Sequence, residues 1–579
     1  MSSDFQYFKA HAISHHVGTF KWLTPEHPVV ILDNLTQLVV TDNNRALDGD
    51  LVYFEYDADP TTLTVSVVGI KNRTEQQFVG VLQITKTKIY GHTHKGLPIY
   101  NFIPLSWRLP DFQVASNAKK AWKEGIIRDV YVLVAFKDWL TNMKYPAANC
   151  IRVIGVISDP VAQDISLLLK NQLYTKKHDK KQIQRIDIVS DNQERIQYSS
   201  VNAVTIDPVG STDFDDAFHV DGDSVFVHIA DVDHFFPVNG LYEDELRKRL
   251  TTIYGKASGI YHMLPDEYSS RIISLNTEGP KKTISVKLQH NGLTLEPVEV
   301  YLSEVTICSN YTYDEAQTSK APIFKEIAAL TGETDMHKVV EKLMVLCNSY
   351  VGQLLYEGGC PFVRRVDVIS KDLIVDTECL QYLKYRSESG AQYSNQSGSH
   401  TLLGIQNYTH FTSPIRRYAD LVVQRLLKKI LTGATAPYSN NELGRIATSL
   451  NGYLKSVKRY YRDADVMKLF QVLSGSAKSV IATKGYIVDY DTETNYVFVF
   501  LSEYNIEYRY KLFSNKLENI MSVKNYDKHI VLTNNQSTES WDIPKYEELY
   551  VNLSTNSNEV RLSKKIIMRI SSIEDTFVF

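Results

Sequence analysis

Between residues 17 and 165 the chain is a succession of short runs in which apolar and β-branched residues alternate with polar ones: PVVILD, QLVVTD, DLVYFEY, LTVSVVGI, FVGVLQI and DVYVLVAF. A period of two puts alternate side chains on one face and marks each run as a strand, with turn-forming residues between runs to reverse the chain. A lone strand buries nothing and exposes its edges, so such a series closes into small antiparallel barrels or sandwiches. Two barrels of about 75 residues each fit the interval. NNRALDGD (43 to 50) supplies polar turn chemistry between two runs. IYGHTHKGLPIYNFIPLSWRLPDF (89 to 112) is aromatic and loop-like, suited either to stacking bases or, more commonly, to completing a barrel core. Strand texture returns after SGSAKS (474 to 479), in VIATKGYIVDYDTETNYVFVFLSEYNIEYRYKLF, and predicts a C-terminal barrel.

Between these regions strands mix with helices in what reads as a larger α/β domain. HKVVEKLMVLCNSYVGQLLYEGG (337 to 359), SPIRRYADLVVQRLLKKIL (413 to 431) and LNGYLKSVKRYYRDADVMKLFQVL (450 to 473) carry apolar residues at helical spacing. Residues 170 to 198 form a connector with Lys176, Lys177, Lys180 and Lys181 in one run, read as a solvated face or a phosphate contact. A chain of 579 residues exceeds what one core supports. The formal net charge of -4 gives no overall basic footprint, so any nucleic-acid surface has to be local. Five scattered cysteines without C-x-x-C spacing argue against a disulfide framework or structural zinc and favour a reducing compartment. With no signal-like N-terminus and no run of 18 apolar residues, a soluble cytoplasmic protein is expected.

The chemistry concentrates in TIDPVGSTDFDDAF (205 to 218), where Asp207, Asp213, Asp215 and Asp216 follow an apolar run ending at Ile206. Two carboxylates about 4 Å apart repel by roughly 4 kcal/mol at an effective dielectric of 20, so four on one loop require protonation or cations. Hard divalent ions suit such oxygens, and a pair of ions suits phosphodiester hydrolysis. The bland reading is a solvated acidic loop or a calcium brace, and the EF-hand pattern is absent. Asp231 and Asp233, closing VFVHIADVDHFF, read first as strand-end residues. In YTHFTSPIRRYADLVVQR (408 to 425), Thr412 or Ser413 is expected to cap a helix with Pro414 at its first position, a start that suits phosphate. Arg416 and Arg417 sit where a helix dipole disfavours cations, although Arg416 could pair with Asp420 on a plain surface helix.

TIDPVGSTDFDDAF and HFTSPIRRYADLVVQR together resemble the two signature stretches of the ribonuclease II (RNB) family of 3′-to-5′ exoribonucleases. VFVHIADVDHFF, MLPDEYSSRIISLN, YDEAQ and VVEKLMVLCNSYVG resemble its intervening blocks in the right order. RALDGDLVYFE and GLPIYNFIPLSW resemble the cold-shock-type OB barrels of its eukaryotic-like branch, here without room for that branch's N-terminal endonuclease domain ahead of residue 17. The resemblance implies a multidomain α+β chain: cold-shock-type OB barrels at 1–76 and 77–168, a connector at 169–199, a central α/β RNB catalytic domain at 200–474 and an S1-like OB barrel at 475–579. It also implies Mg²⁺-dependent hydrolysis, with Mn²⁺ as a substitute, of single-stranded RNA to nucleoside 5′-monophosphates.

By motif match, Asp207, Asp213, Asp215 and Asp216 would ligate the ions or position water, Arg416 would neutralise the scissile phosphate, and Arg417 would support it. Tyr254, Tyr313, Glu341 and Asp463 match positions that meet the RNA, the last usually Glu in the family. Gln424 stands where the family usually has His. Only residues 318 to 339 separate YDEAQ from VEKLM, shorter than in many relatives, which implies a different hold on the 3′ end. The rival readings are an RNA-binding protein that keeps the scaffold without catalysis, distinguished by the acid set, and a calcium-braced adaptor that binds no RNA.

Overall fold

The structure, a computed structural model, describes the chain apart from residues 1–15, 25–26, 58–62, 74–76, 87, 118–127, 184–193, 366–376, 389, 434, 493–495, 512–520, 538 and 571–579. The N-terminal stretch and part of the basic connector therefore lie outside the described residues.

Strands β1 (His16–Thr24), β2 (His27–Ile31), β3 (Gln37–Asp42), β4 (Leu51–Tyr56) and β5 (Thr64–Asn72) close a barrel in the order β1-β2-β3-β5-β4. The alternation is visible in β4, where Val52 and Phe54 are buried and Glu55 is exposed. A second barrel, in the order β10-β8-β7-β6-β9, uses β6 (Gln77–Leu82), β7 (Ile99–Pro104), β8 (Phe112–Ala115), β9 (Val130–Asp138) and β10 (Ala147–Val156). The aromatic stretch supplies its core: Tyr100, Phe102 and Phe112 are fully buried, and Phe112 packs on Phe78 with ring centroids 5.3 Å apart. Arg108 Nε donates to the Trp22 carbonyl at 3.0 Å and joins the two barrels.

Helix α1 (Pro160–Lys170) follows, capped by Asp159 and started by a proline. After the short α2 (Lys180–Ile183), the central domain is built on a third closed barrel, ordered β11-β12-β13-β16-β17, that the sequence reading did not foresee. Its strands are β11 (Ile196–Asp207), β12 (Asp216–Asp221), β13 (Ser224–Ala230), β16 (Pro280–His290) and β17 (Leu295–Thr312). Every residue of β13 is buried, so the strand has no polar face to alternate with. Between β13 and β16 lie α3 (Val232–Phe235), α4 (Glu243–Arg249) and a hairpin of β14 (Ile253–Tyr254) with β15 (Ile260–Tyr261).

Beyond β17 come α5 (Tyr313–Thr318), α6 (Pro322–Thr331), α7 (Met336–Glu357), α8 (Thr377–Glu388), α9 (Tyr418–Thr432) and α10 (Asn440–Gly475). A Cβ at Gly352 of α7 would lie 1.9 Å from the Asn407 carbonyl oxygen, so only glycine lets the 407–417 segment lie this close. Helix α10 begins ten residues before the expected start, at a capping box of Ser439 and Glu442. Helix α9 begins at Tyr418, four residues later than the expected first position at Pro414, with no side-chain cap.

Where a C-terminal barrel is expected, the described residues form a five-stranded antiparallel sheet, centred on Ile481–Asp491, and a three-stranded sheet of Met521–Asn525, His529–Asn534 and Ser540–Pro544. No ladder among them joins the outer strands Ile506–Lys511 and Ile566–Ile570. Leu167, Leu168 and Leu173 share one core with Tyr460 and Met467 of α10 and Val499 and Ile530 of these sheets. Fully burying such a leucine stabilises by about 1.5–3 kcal/mol, so α1 and α10 fasten the N- and C-terminal parts to the centre.

Candidate active site

The acid segment spans the gap between adjacent strands. Asp207 ends β11 and Asp216 starts β12, so the 208–215 connection is held over one end of the barrel. Its backbone is pinned: Ala230 N–H donates to the Asp215 carbonyl at 2.9 Å and Leu275 N–H to the Phe214 carbonyl at 3.0 Å. Ser274 Oγ accepts from Phe214 N–H and donates to the Thr212 carbonyl. In the parallel ladder of β11 with β17, Asp207 faces Thr312, which places Tyr313 next to the acids.

The four aspartates take different partners. Asp215, 3% exposed, accepts from Ile415 N–H at 2.8 Å through Oδ1 and from Arg416 Nε at 3.1 Å through Oδ2. Asp213 accepts from the Tyr254 hydroxyl at 3.3 Å. Asp207 Oδ2 is buried with no hydrogen-bond partner among the described residues. Burial raises the Asp207 carboxyl to about 7, helped by Asp213, and raises Asp215 to about 7 against the pull of Arg416. Asp216 is pushed well above the carboxylate range by burial and by Asp207 and Asp215. Such a set, short of positive charge and with an orphaned oxygen, fits divalent cations as its missing partners. Among the described residues no three His, Cys, Asp or Glu side chains are gathered closely enough to hold an ion unaided. That is compatible with Mg²⁺, which keeps waters and substrate oxygens in its shell.

The expected phosphate-binding helix start takes another form. Residues 413–417 make a turn before α9, in which Asp420 Oδ1 takes the Ser413 N–H and Asp215 takes that of Ile415, so these donors are spent within the protein. Arg416 does not pair with Asp420: its Nε meets Asp215 and its Nη2 donates to Ser413 Oγ at 2.8 Å, whereas Arg417 binds Asp420 at 2.8 Å. Burial alone would lower the Arg416 pKa, but Asp215 raises it beyond its ordinary value, so the guanidinium stays charged. Thr251 and Thr252, which carry no sequence signal, fix the same turn: Thr251 Oγ1 and Thr252 N–H each donate to the Arg416 carbonyl at 2.9 Å.

Tyr313 stacks on His337 of α7, with ring centroids 3.8 Å apart and planes 12° from parallel; the sequence reading missed this partner. Glu341, one turn further along α7, is exposed. Asp463, expected to meet the RNA, is engaged by Lys170 Nζ at 2.9 Å and Asn171 Nδ2 at 2.8 Å in the seam between α1 and α10. Gln424 does the work of a buried linker, donating to the Ala230 carbonyl at 2.7 Å and accepting from Val232 N–H at 3.1 Å. Asp231 and Asp233 are structural, as first read: Asp231 binds Arg195 and Lys428, each at 2.7 Å, and Asp233 binds Lys428 and Arg425.

A cationic seam lies between the barrels and α10. Lys455, Lys458, Arg459 and Arg462 recur at helical spacing on α10, and Arg459 among them lines the junction with the barrels. Burial and then Arg108 and Arg462 depress the Arg459 pKa, the mark of cations facing cations. Lys21, Arg108, Lys170 and Arg459 line a cavity of ≈ 830 Å³ at this junction. A chain of net charge -4 thus carries a local basic surface. Among the described residues no helix is long and apolar enough to cross a membrane.

Comparison with known proteins agrees with this architecture. An RNB domain matches residues 195–326 and 370–433, and a Dis3-like cold-shock domain 2 matches 99–172. Ribonuclease R of Helicobacter pylori is 26% identical over 361 residues, 47% of this chain and 55% of that protein. Exosome complex exonuclease RRP44 of Mus musculus is 24% identical over 594 residues, 84% of this chain and 60% of that protein. The chain therefore matches little more than half the length of these relatives. A solved structure of Mycoplasma genitalium RNase R in complex with ribose methylated single-stranded RNA shares the fold with TM-score 0.76 at 18% identity, over 96% of this chain and all of that one. Yeast Ssd1, a pseudonuclease, aligns with TM-score 0.65 at 14% identity over 96% of each chain. The chain thus carries a match to the RNB domain beside a match to the Dis3-like cold-shock domain 2, and its relatives include ribonuclease R and the Rrp44 exosome exonuclease.

Proposed function

We propose that the chain is a Mg²⁺-dependent 3′-to-5′ exoribonuclease that hydrolyses single-stranded RNA to nucleoside 5′-monophosphates in the cytoplasm. The observation that carries this reading is the meeting of an undercompensated aspartate set with a charged arginine, Arg416, held by Asp215. Asp207, Asp213 and Asp216 would hold the divalent ions, with Mn²⁺ as a substitute for Mg²⁺. When bound, such ions supply the Lewis acidity that activates water and stabilises the leaving oxygen. Asp215 is committed to the 413–417 turn, so it positions Arg416 rather than joining the ion shell.

In the reaction, a water oxygen forms a bond to the terminal phosphorus while the P–O3′ bond breaks. The phosphate stays with the released nucleoside and the departing O3′ gains a proton. Arg416 neutralises the charge that builds on the non-bridging oxygens, a role its second guanidinium edge suits. Tyr313 with His337, and the partly exposed Tyr254 ring, offer flat surfaces beside this point for the terminal bases. The seam of Lys21, Arg108 and Arg459, with Arg462 beside it, suits the backbone of a single strand on its way in.

A catalytically inert scaffold is the second reading, favoured by the likeness to Ssd1. It has no use for the full acid set together with Arg416, all of which this chain retains. To separate the two, single-stranded RNA labelled at its 5′ end is incubated with the protein and Mg²⁺ or EDTA, beside an Asp216→Asn variant. Shortening from the 3′ end that needs Mg²⁺ and vanishes in the variant is expected. Intact RNA throughout identifies the inert scaffold.

A further inference from the structure

The turn that presents Tyr254 to the acids is held from outside the catalytic barrel. β14 and β15 are two residues each, so the intervening 255–259 turn has no core of its own. Its polar backbone is satisfied by other elements instead. Asp164 of α1, 4% exposed, accepts through Oδ2 from Ala257 N–H at 2.9 Å, Ser258 N–H at 2.8 Å and Ser258 Oγ at 2.7 Å. Through Oδ1 it accepts from the Tyr460 hydroxyl of α10 at 2.5 Å. The Tyr460 oxygen in turn accepts from Lys256 N–H at 3.0 Å, and the Tyr461 oxygen accepts from Tyr254 N–H at 3.2 Å.

The turn is shaped to this seat. A Cβ on Gly255 would lie 2.6 Å from the Gly259 carbonyl oxygen and 3.0 Å from Asp164 Oδ2, so a larger residue would displace the loop. The other end of the series is equally close: a Cβ on Gly155 of β10 would come within 2.7 Å of Ala162 Cβ, so α1 rests directly on the second barrel. From that barrel an unbroken run of packed and hydrogen-bonded groups therefore leads through Asp164 and the turn to the Tyr254 hydroxyl on Asp213. A carboxylate that takes two successive backbone N–H groups fixes orientation as well as energy.

We propose that Asp164 is a positioning residue of the active site, delivered from the second barrel's side of the molecule, that seats the 255–259 turn and thereby sets Tyr254 against Asp213. The proposal rests on the exoribonuclease reading only for the reaction it tunes. Its test combines a double-mutant cycle with hydrogen exchange on the full chain. Asp164→Asn is expected to lower kcat/KM on single-stranded RNA by about tenfold or more alone, but less than about twofold in a Tyr254→Ala background, because both changes act through one side chain. Amide exchange in residues 254–259 is expected to rise about tenfold in Asp164→Asn with distant peptides unchanged. Tyr461→Phe, which removes only the acceptor for Tyr254 N–H, is expected to act in the same direction if Asp164→Asn folds poorly. Equal loss in both backgrounds, or unchanged exchange in the turn, overturns the proposal. RNA left intact by the wild-type chain overturns the exoribonuclease reading instead, and the exchange measurement then judges Asp164 by itself.

Discussion

Arg416 Nε donates to Asp215 Oδ2 at 3.1 Å, joining residues 201 positions apart, while Asp215 Oδ1 takes the neighbouring Ile415 N–H. One carboxylate thus orients both the backbone and the side chain of the turn that supplies the site's cation. Asp215→Asn keeps the volume but turns an amide N–H₂ toward the guanidinium or the Ile415 N–H. We expect kcat to fall by about 10²–10³-fold, the range for losing one preorganised transition-state donor. Arg416→Lys, which lacks the fork, is expected to fall in the same range. Single-turnover kinetics against RNA affinity checks this: weaker binding with an unchanged chemical step would contradict the assignment.

The cationic seam predicts a salt signature. Arg108 and Arg459 sit away from the acids, at the junction of the barrels with α10. The double variant Arg108→Ala with Arg459→Ala should flatten the log–log salt dependence of single-stranded RNA binding by about 0.7 for each phosphate that is no longer neutralised. Cleavage of an oligonucleotide too short to reach the seam should change little. Binding titrations at several salt concentrations measure the slope, and an unchanged slope removes the seam from the RNA path.

Inside the third barrel, His219 Nδ1 and His228 Nε2 are 2.7 Å apart, and His228 Nδ1 meets Ser285 Oγ. Burial lowers His219 to about 4 and holds His228 well below the ordinary histidine range, the neighbouring His219 adding to the second shift. Protons then bind the unfolded chain more readily than the folded one. Stability from this pair is complete above about pH 6.5 and declines as pH falls from 6.5 toward 4, by up to about 3 kcal/mol for His219. Melting curves at pH 7.5 and pH 5 should therefore differ more for the wild type than for His219→Asn with His228→Gln. The carboxylates common to both proteins cancel in that comparison, and equal differences would refute the prediction.

Arg425 is 3% exposed and binds Glu243 at 2.8 Å, Asp233 at 3.2 Å and the Phe236 carbonyl at 2.7 Å. Arg425→Met leaves two carboxylates short of a buried partner. A loss of about 3–5 kcal/mol of stability is expected. Chemical denaturation measures it, and a loss below about 1 kcal/mol would mean that the network relaxes around the change.

Legibility in the sequence followed the range over which each interaction acts. Strands of the first two barrels bury one face, so β4 announces itself by alternation. β13 is buried on both, and the third barrel was not foreseen. The four aspartates were readable because one short segment holds them. The start of α9 was misplaced because Asp420 and Asp215 capture N–H groups that the local capping signal at Ser413 and Pro414 reserved for a helix start. Asp463 was assigned by motif position, yet Lys170 and Asn171 from a remote helix decide its surroundings. Thr251, His337 and Asp164 have no local pattern, since their partners lie elsewhere in the chain.

The central claim, that the Asp207 and Arg416 site removes nucleotides hydrolytically from an RNA 3′ end, is tested most directly by the fate of the last phosphate. Single-stranded RNA with an isotopic label in its 3′-terminal nucleotide is digested in ¹⁸O-enriched water with Mg²⁺, and the earliest products are read by mass spectrometry. The predicted result is a labelled nucleoside 5′-monophosphate with one ¹⁸O in its phosphate. Label appearing first in longer oligonucleotides, or a mononucleotide without ¹⁸O, would contradict the account.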